Sequence, residues 1–185
     1  MSTRAYQDPL DLVWLATAAR LNMRVERSAE VFASWDGVGT LTLSTPEHLD
    51  PDDCLAQMIL HEICHALVQG PENLTRPDWG LDNFDDRDLV REHACHRLQA
   101  ALLQPHGLRA MLTPTTVHRP YYESLPADPL ADADDPAVAP AREGFARAFE
   151  VPWAEPLVAA LTATAVIAAV VEPFAAPPSI WALTD

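Results

Sequence analysis

The sequence predicts an α+β fold that is mostly helical, with a small antiparallel sheet packed against a central helix and the helix that follows it. Apolar residues recur at helical spacing in long segments on both sides of residue 50, which is typical of amphipathic helices. Residues 40–45 alternate polar and apolar side chains and favour a strand with one face in the core. The chain of 185 residues is long enough for one domain with a substantial core.

The N-terminal segment is expected to form one helix and the sheet. Residues 8–23 predict the helix, because an Asp-Pro pair gives an N-cap with proline at the first helical position. Residues 24–34 have a strand-like pattern, and residues 35–39 form a turn signal before the strand at 40–45. If that last strand lies at a sheet edge, its free backbone could bind an extended peptide by strand addition; otherwise it is a structural strand.

The central helix is expected over residues 51–69. The Asp-Pro-Asp-Asp run at residues 50–53 has the form of a capped, acidic helix start, which suits the helix dipole. Gly70 followed by Pro71 is a stop signal. The apolar residues on both sides of the middle of this segment predict a helix that is largely buried.

A long loop and a second helix follow. Residues 71–85 are rich in turn formers but include Trp79 and Phe84, so we expect this loop to pack over a neighbouring site as a lid or wall, or to join the core as a satellite. The next helix is expected to begin at Asp86 and to break at residues 105–107. Its apolar stripe consists of Leu89, Val90, Ala94, Leu98, Ala101 and Leu102.

The charge of the chain limits the classes of molecule that we expect it to bind. The formal charge is -15, and all 12 basic residues are arginine. Such a surface repels nucleic-acid backbones and anionic lipid, so we expect neither nucleic acid nor a membrane surface as a partner.

Three cysteines, Cys54, Cys64 and Cys95, are too few and too irregularly spaced for a disulfide framework. Small buried thiols are the ordinary interpretation, and a redox-sensitive Cys64–Cys95 pair is an alternative. The N-terminus has no apolar signal-peptide core, which indicates a cytoplasmic protein.

The pattern His61-Glu62-x-x-His65 lies inside the central helix. Side chains four positions apart share one face of a helix, so both imidazoles can bind one metal ion. Glu62 lies about 100° round the helix from His61, where it could act as a general base without becoming a ligand. The alternative is that these buried groups only hydrogen-bond to neighbouring backbone.

A third ligand is expected from the next helix. Glu92 would complete a set of two histidines and one carboxylate with a coordination position left open. His96, one turn later on the same face, is the alternate ligand or a partner of the ligands. His93 is expected to point away from this face.

The helix with His61, Glu62 and His65, followed by Glu92, resembles the gluzincin metallopeptidases, a branch of the zincins, in a small version. This resemblance covers residues 40–100 and implies Zn²⁺ bound by His61, His65 and Glu92, with Glu62 activating water. The segment around Glu92 departs from the usual Asn-Glu-x-x-x-Asp form of that group, since it is Arg-Glu-His-Ala-Cys-His.

A fainter, local resemblance is to the elongation factor P hydroxylase family. The residues that resemble this family are those of the motif from His61 to Ala66, then Gly70, Arg76, the Asp-Trp-Gly sequence at 78–80, and Glu92. The resemblance implies Fe²⁺ held by a similar helix and glutamate for hydroxylation of a modified lysine. Two histidines and a carboxylate also form the facial triad of non-haem iron oxygenases.

The sequence as a whole predicts a zincin-like metal-binding domain at residues 1–123, a linker or loop rich in proline and aspartate at 124–140, and a C-terminal helical extension at 141–185 packed on that domain. Helices are expected at 138–149 and 153–171. The most apolar window of the latter is shorter than the roughly 20 residues that cross a bilayer, so we expect a buried helix or an association surface.

The expected function is therefore a zinc-dependent peptidase or other amide hydrolase that acts on a peptide or protein. Residues 118–123, expected on a loop or strand, supply three candidate donors for the oxyanion of a tetrahedral intermediate, namely His118, Tyr121 and Tyr122. An iron-dependent hydroxylase is the alternative enzyme, and a non-catalytic metal-binding or interaction protein is the alternative from another class.

Overall fold

The computed structural model of the chain describes residues 5–82, 88–131 and 134–182. The described part is an α+β fold that is mostly helical, with one small sheet. Its helices are α1 (Pro9–Arg20), α2 (Leu55–Gln69), α3 (Leu89–Leu103), α4 (Arg119–Ser124), α5 (Val138–Arg147) and α6 (Ala154–Val171). Its strands are β1 (Arg24–Ser28), β2 (Ala33–Trp35) and β3 (Thr40–Ser44).

Helix α1 begins as predicted, because the Asp8 carboxylate accepts a hydrogen bond of 2.8 Å from the backbone N–H of Leu10. The helix ends at Arg20 rather than at residue 23, since Asn22 takes a φ of 60°. Trp14 is fully buried, and its Nε1–H donates to Thr164 Oγ1 at 3.0 Å, which fixes α1 against α6.

The sheet has the order β1-β3-β2, with β1 parallel and β2 antiparallel to β3. The predicted all-antiparallel sheet is therefore wrong. The chain reverses between β1 and β2 and again between β2 and β3, so β1 and β3 run in the same direction. Because β3 is central and paired on both sides, the idea that it could bind a peptide at a free edge is also wrong; β2 is an edge strand instead.

Helix α2 is the central helix, and in it every residue but His61 is buried. It begins at Leu55 rather than at 51, because the acidic residues before it form a turn in which Asp53 N–H donates to Asp50 O at 3.0 Å. The predicted stop is confirmed: α2 ends at Gln69, and Gly70 has a φ of 81°.

Helices α1, α3 and α5 pack around α2, and α6 packs on α1. Gly144 on α5 allows a close approach, since a Cβ there would lie 3.0 Å from Leu98 Cδ2 and 3.2 Å from Val68 Cγ2. One apolar core therefore includes side chains from both ends of the chain.

The segments on either side of α3 were expected to have other structures or bounds. Residues 119–124 form the short helix α4 rather than a loop or strand. The expected helix start at Asp86 and the side chain of Phe84 lie outside the described residues. Within them, α3 begins at Leu89 and its last residue is Leu103, followed by a single 3₁₀ turn at Gln104–His106.

Helix α6 lies on the surface of the fold. Within the described ranges, the stretch Ala154–Phe174 is long and apolar enough to cross a membrane by length and composition, with a mean hydropathy of 2.0. Only 28% of its most apolar window is buried. Such a helix, taken alone, is weak support for a membrane span.

Candidate metal centre

The two motif histidines converge because they lie one turn apart on α2. His61 Nε2 and His65 Nε2 are 3.0 Å apart, and the two ring planes meet at 89°. Two imidazoles that bind one ion at about 2.1 Å in neighbouring positions have nitrogens about 3.0–3.4 Å apart. The pair therefore has the spacing of two ligands of one ion.

Glu92 reaches the same point from α3, which packs against α2. Its Oε1 is 3.2 Å from His61 Nε2, and its Oε2 is 3.2 Å from His65 Nε2. The structure thus brings together the three side chains that were predicted as metal ligands. The carboxylate is only 17% exposed, so it faces the histidines more than solvent.

The Nδ1 atoms of His61 and His65 each have a partner. His61 Nδ1 lies 3.1 Å from Gln99 Oε1, and the Gln99 amide donates to Leu112 O at 2.8 Å. Since the amide nitrogen is used as a donor, Oε1 must accept, so Nδ1 of His61 carries a proton and Nε2 is the nitrogen that remains to face a metal. His65 Nδ1 lies 3.2 Å from Cys95 Sγ.

Burial keeps Cys95 a neutral thiol, because it raises the pKa of Cys95 well above its ordinary value. Sequence reasoning assigned no role to Gln99 or to the Cys95–His65 contact. Gln99 lies seven positions after Glu92, on the same face of α3, and this periodicity was the available signal.

Glu92 and His61 hold each other in their charged forms. Burial lowers the pKa of His61, but the Glu92 carboxylate, together with Glu62 and Gln99, outweighs burial and raises the pKa of His61 to about 9. Burial would likewise raise the pKa of Glu92, but His65 and His61 hold it well below its usual range. The site therefore favours a positive charge between these groups, which a divalent cation can supply in place of a proton.

Glu62 is buried beside this cluster, and a tryptophan on its far side hydrogen-bonds to its carboxylate. Its Oε2 accepts a hydrogen bond of 2.9 Å from Trp79 Nε1–H. Trp79 stacks on Trp35 with ring centres 4.5 Å apart, and Trp35 Nε1–H donates to Leu74 O at 2.8 Å. The described part of the loop after α2 therefore forms a wall behind Glu62, and Trp79 is also a member of the core.

A left-handed turn aims Trp79 at Glu62. Asp78 and Trp79 have φ values of 47° and 56°, which non-glycine residues adopt rarely. Asp78 Oδ1 accepts hydrogen bonds from Ser34 Oγ at 2.9 Å and from the Trp35 backbone N–H at 3.0 Å. The strained turn is thus fastened to strand β2, which fixes the position of the Glu62 carboxylate.

The two other histidines of α3 have different surroundings. His96 is 1% exposed, and its Nε2 lies 3.0 Å from Glu92 Oε1. Burial lowers the pKa of His96 to about 3, so its ring is neutral. His93 is partly buried and stacks on Tyr121 with ring centres 3.6 Å apart, away from the cluster.

The three candidate oxyanion donors are also separated. The Tyr121 hydroxyl donates to Asp135 Oδ2 at 3.0 Å, and the Tyr122 hydroxyl donates to Arg109 O at 3.1 Å. Both hydroxyls are therefore engaged away from the predicted metal ligands. His118, in contrast, has its Nε2 3.9 Å from Glu92 Oε1 and lines the cavity in front of the cluster.

That cavity has a volume of about 600 Å³ and opens in front of the two motif histidines and both glutamates. One side is formed by Phe32 and Ala33 at the start of edge strand β2. Gln57, one turn before His61, also lines it, and its buried Oε1 has no hydrogen-bond partner within the described ranges. Apolar and acidic side chains complete the lining, including Met58, Leu89, Pro114, Val117, Asp50 and Asp88.

The geometry of this cluster is the main support for a functional assignment. Compared with protein-family models, with curated proteins and with solved structures, the chain shows no significant match.

Proposed function

We propose that the chain is a zincin-like, metal-dependent amide hydrolase, a small zinc metallopeptidase in which His61, His65 and Glu92 hold the ion and Glu62 is the general base. The observation that carries this proposal is the convergence of the three side chains, with donor distances of 3.0–3.2 Å, beside the Glu62 carboxylate that Trp79 holds through Oε2. A buried cluster of this kind needs a positive charge at its centre.

The donor set fits a divalent zinc ion. Two imidazole nitrogens and a carboxylate are common protein ligands of catalytic zinc and leave one position open. Gln99 supplies the second partner that orients a ligating imidazole, as metal-bound histidines usually require. A bound zinc ion would polarise a substrate carbonyl and lower the pKa of a water molecule.

Glu62 would take the proton of the attacking water. Trp79 holds the carboxylate through Oε2, which leaves Oε1 to accept the proton and later to transfer it to the leaving amine. Because Glu62 is buried and fixed from behind, this transfer needs little movement of the side chain. Such a general base contributes about 10²–10⁴-fold to the rate.

The edge of the sheet gives the proposal a substrate path. In the β2–β3 ladder Phe32 O accepts from Ser44 N–H, and Asp36 N–H donates to Thr40 O, so the groups of Ala33 and Trp35 face the free edge. Trp35 N–H is bonded to Asp78, whereas Ala33 borders the cavity. An extended peptide could pair there and place a carbonyl between Glu62 and His118.

Cleavage of a peptide mixture tests the proposal. Zinc-loaded protein is incubated with a library of peptides from a digested proteome, and new termini are detected by mass spectrometry. We expect cleavage by the wild type, loss of at least about 100-fold in Glu62→Gln with zinc still bound, and no loss in the exposed control Glu150→Gln. Absence of new termini with zinc-loaded wild type contradicts the proposal.

An iron-dependent hydroxylase is the second candidate. It is favoured by the same short donor distances, which suit three neighbouring positions on one face of a six-coordinate ion. Oxygen-dependent turnover of iron-loaded protein, with no hydrolysis by the zinc form, would support this candidate against the first.

A further inference from the structure

His96 is the least satisfied histidine of the cluster. It is 1% exposed, and neither of its ring nitrogens has a hydrogen-bond partner in the described part of the chain. A buried polar group left unpaired costs about 1–3 kcal/mol. The Nδ1 atoms of His61 and His65, in contrast, contact Gln99 and Cys95.

The position of His96 matches that of a ligand. Its Nε2 is 3.0 Å from Glu92 Oε1, and donor atoms of His61, Glu92 and His96 all lie within 4.8 Å of one another. The ring centres of His61 and His96 are 5.0 Å apart, close to the 4.6 Å between His61 and His65. Two imidazoles that share one ion in neighbouring positions have ring centres about 4.5–5 Å apart, given metal–nitrogen distances of about 2.1 Å.

A simple hydrogen bond to Glu92 explains this position less well. The distance of 3.0 Å is short enough for a hydrogen bond, but such a bond would still leave the buried Nδ1 of His96 without a partner among the described residues. A close contact between the lone pair of His96 Nε2 and a carboxylate oxygen of Glu92 is expected when both atoms face one cation.

We infer that His96 is a fourth protein ligand, so that three imidazoles and one carboxylate hold a single ion. This inference rests on the proposed metal centre and deepens it. Four protein ligands and an open position together require an ion with at least five ligands. Catalytic zinc, usually four-coordinate, can expand to five ligands, and five or six ligands are ordinary for Fe²⁺, Mn²⁺ and Co²⁺.

X-ray absorption at the cobalt edge tests this inference without measuring activity. We expect three imidazoles per ion in cobalt-loaded wild type and two in His96→Ala. The visible bands of the cobalt form should be weak in the wild type, as in five- and six-coordinate complexes, and stronger in the variant as the coordination number falls. His93→Ala is the matched control, since that histidine lies on the same helix but contacts Tyr121, and it should match the wild type.

Two imidazoles in the wild type, with strong bands that His96→Ala leaves unchanged, would overturn the inference. Because the wild-type count alone decides, the test survives even if His96→Ala fails to fold; His96→Gln is the second variant. The outcome is separate from that of the proposed function: loss of cleavage in Glu62→Gln does not depend on the number of imidazoles, and an inactive protein can still bind cobalt through three.

Discussion

Helix α3 carries two buried polar clusters side by side, and they differ in how their groups are paired. The histidine cluster consists of His61, His65, Glu92 and His96. The arginine network consists of Arg97, Tyr121 and Asp135 with the carbonyl of Pro129. His96 and Arg97 are adjacent in sequence and are 1% and 3% exposed, so burial alone does not distinguish them.

In the arginine network the guanidinium uses all three of its nitrogens. Arg97 Nε donates to the Tyr121 hydroxyl, Nη1 to Pro129 O and Nη2 to Asp135 Oδ2, each at 2.7 Å. A buried charge with a complete set of partners needs nothing further. The network therefore fastens the segment after α4 to α3, which is a structural role.

In the histidine cluster, by contrast, nitrogens and carboxylate oxygens face one another. Four such atoms, from His61, His65 and Glu92, meet at 3.0–3.2 Å, and both nitrogens of His96 lack partners within the described ranges. A buried imidazole left unpaired beside converging donor atoms is the arrangement expected for a ligand site. The difference teaches that the pairing of buried groups, more than their burial, separates a binding site from a structural network.

Loss of a ligand should have the largest effect. We expect His65→Ala to lower zinc affinity by more than about 1,000-fold, since even a partner outside the ligand shell is worth about 10–100-fold. Competition with a coloured chelator measures this. The control is His48→Ala, because His48 is exposed and its Nδ1 lies 3.0 Å from Thr45 Oγ1. If His65→Ala bound zinc within tenfold of the wild-type affinity, the histidine cluster would not differ from the arginine network as a binding site.

Loss of the arginine should instead act on stability. Arg97→Met removes the charged partner of Asp135, which keeps only the Tyr121 hydroxyl and the Ala137 N–H, and takes the Arg97 donor from Pro129 O, so we expect the free energy of unfolding to fall by about 3 kcal/mol. Urea unfolding measures it, and zinc affinity of the folded protein should stay within threefold. Arg142→Met, at an exposed arginine bonded to Leu130 O, should change stability by less than about 0.5 kcal/mol. An equally small change for Arg97→Met would contradict the structural role.

Asp53 is a third buried polar group to set beside the two clusters, because in the part of the chain that the structure describes only one of its carboxylate oxygens has a hydrogen-bond partner and it does not line the cavity. Its Oδ2 accepts from Asp50 N–H at 3.2 Å, while its buried Oδ1 has no partner among the described residues. Burial raises the pKa of Asp53 to about 6, so the folded state binds the proton more tightly than the unfolded state does. Stability contributed by the protonated form is therefore present below about pH 4 and is lost as the pH rises through about 6.

We expect Asp53→Asn to be more stable than the wild type by about 1 kcal/mol at pH 7, after allowance for its partial exposure, and to lose this advantage below about pH 4. Urea unfolding at both pH values, with Asp134→Asn as the exposed control, measures the difference. Zinc affinity should not change. A gain of the same size at both pH values would point to a cause other than titration.

The sequence predicted local features better than long-range ones. Spacing was enough to predict that His61 and His65 share a face of α2 and that this helix ends at Gly70, because both depend on neighbouring residues. The parallel pairing of β1 with β3 could not be predicted, since it depends on the direction of a third strand. The start of α2 was missed for a local reason instead, because the acidic residues before Leu55 form a turn in which Asp53 N–H donates to Asp50 O.

The candidate site divides in the same way. Glu92 was predicted because it follows the motif on a helix of its own. The contacts of Glu62 with Trp79 and of His61 with Gln99 join residues from different helices and loops, and helical spacing could place Gln99 on the face of Glu92 but could not pair it with His61. Tyr121 was a reasonable candidate donor until the structure placed its hydroxyl between Arg97 and Asp135.

An anomalous-scattering map recorded at the zinc edge, from crystals grown with zinc, tests the central claim most directly. We predict one peak within bonding distance of His61 Nε2, His65 Nε2 and a carboxylate oxygen of Glu92. A map without a peak there, with these side chains well ordered but turned apart, would contradict the account.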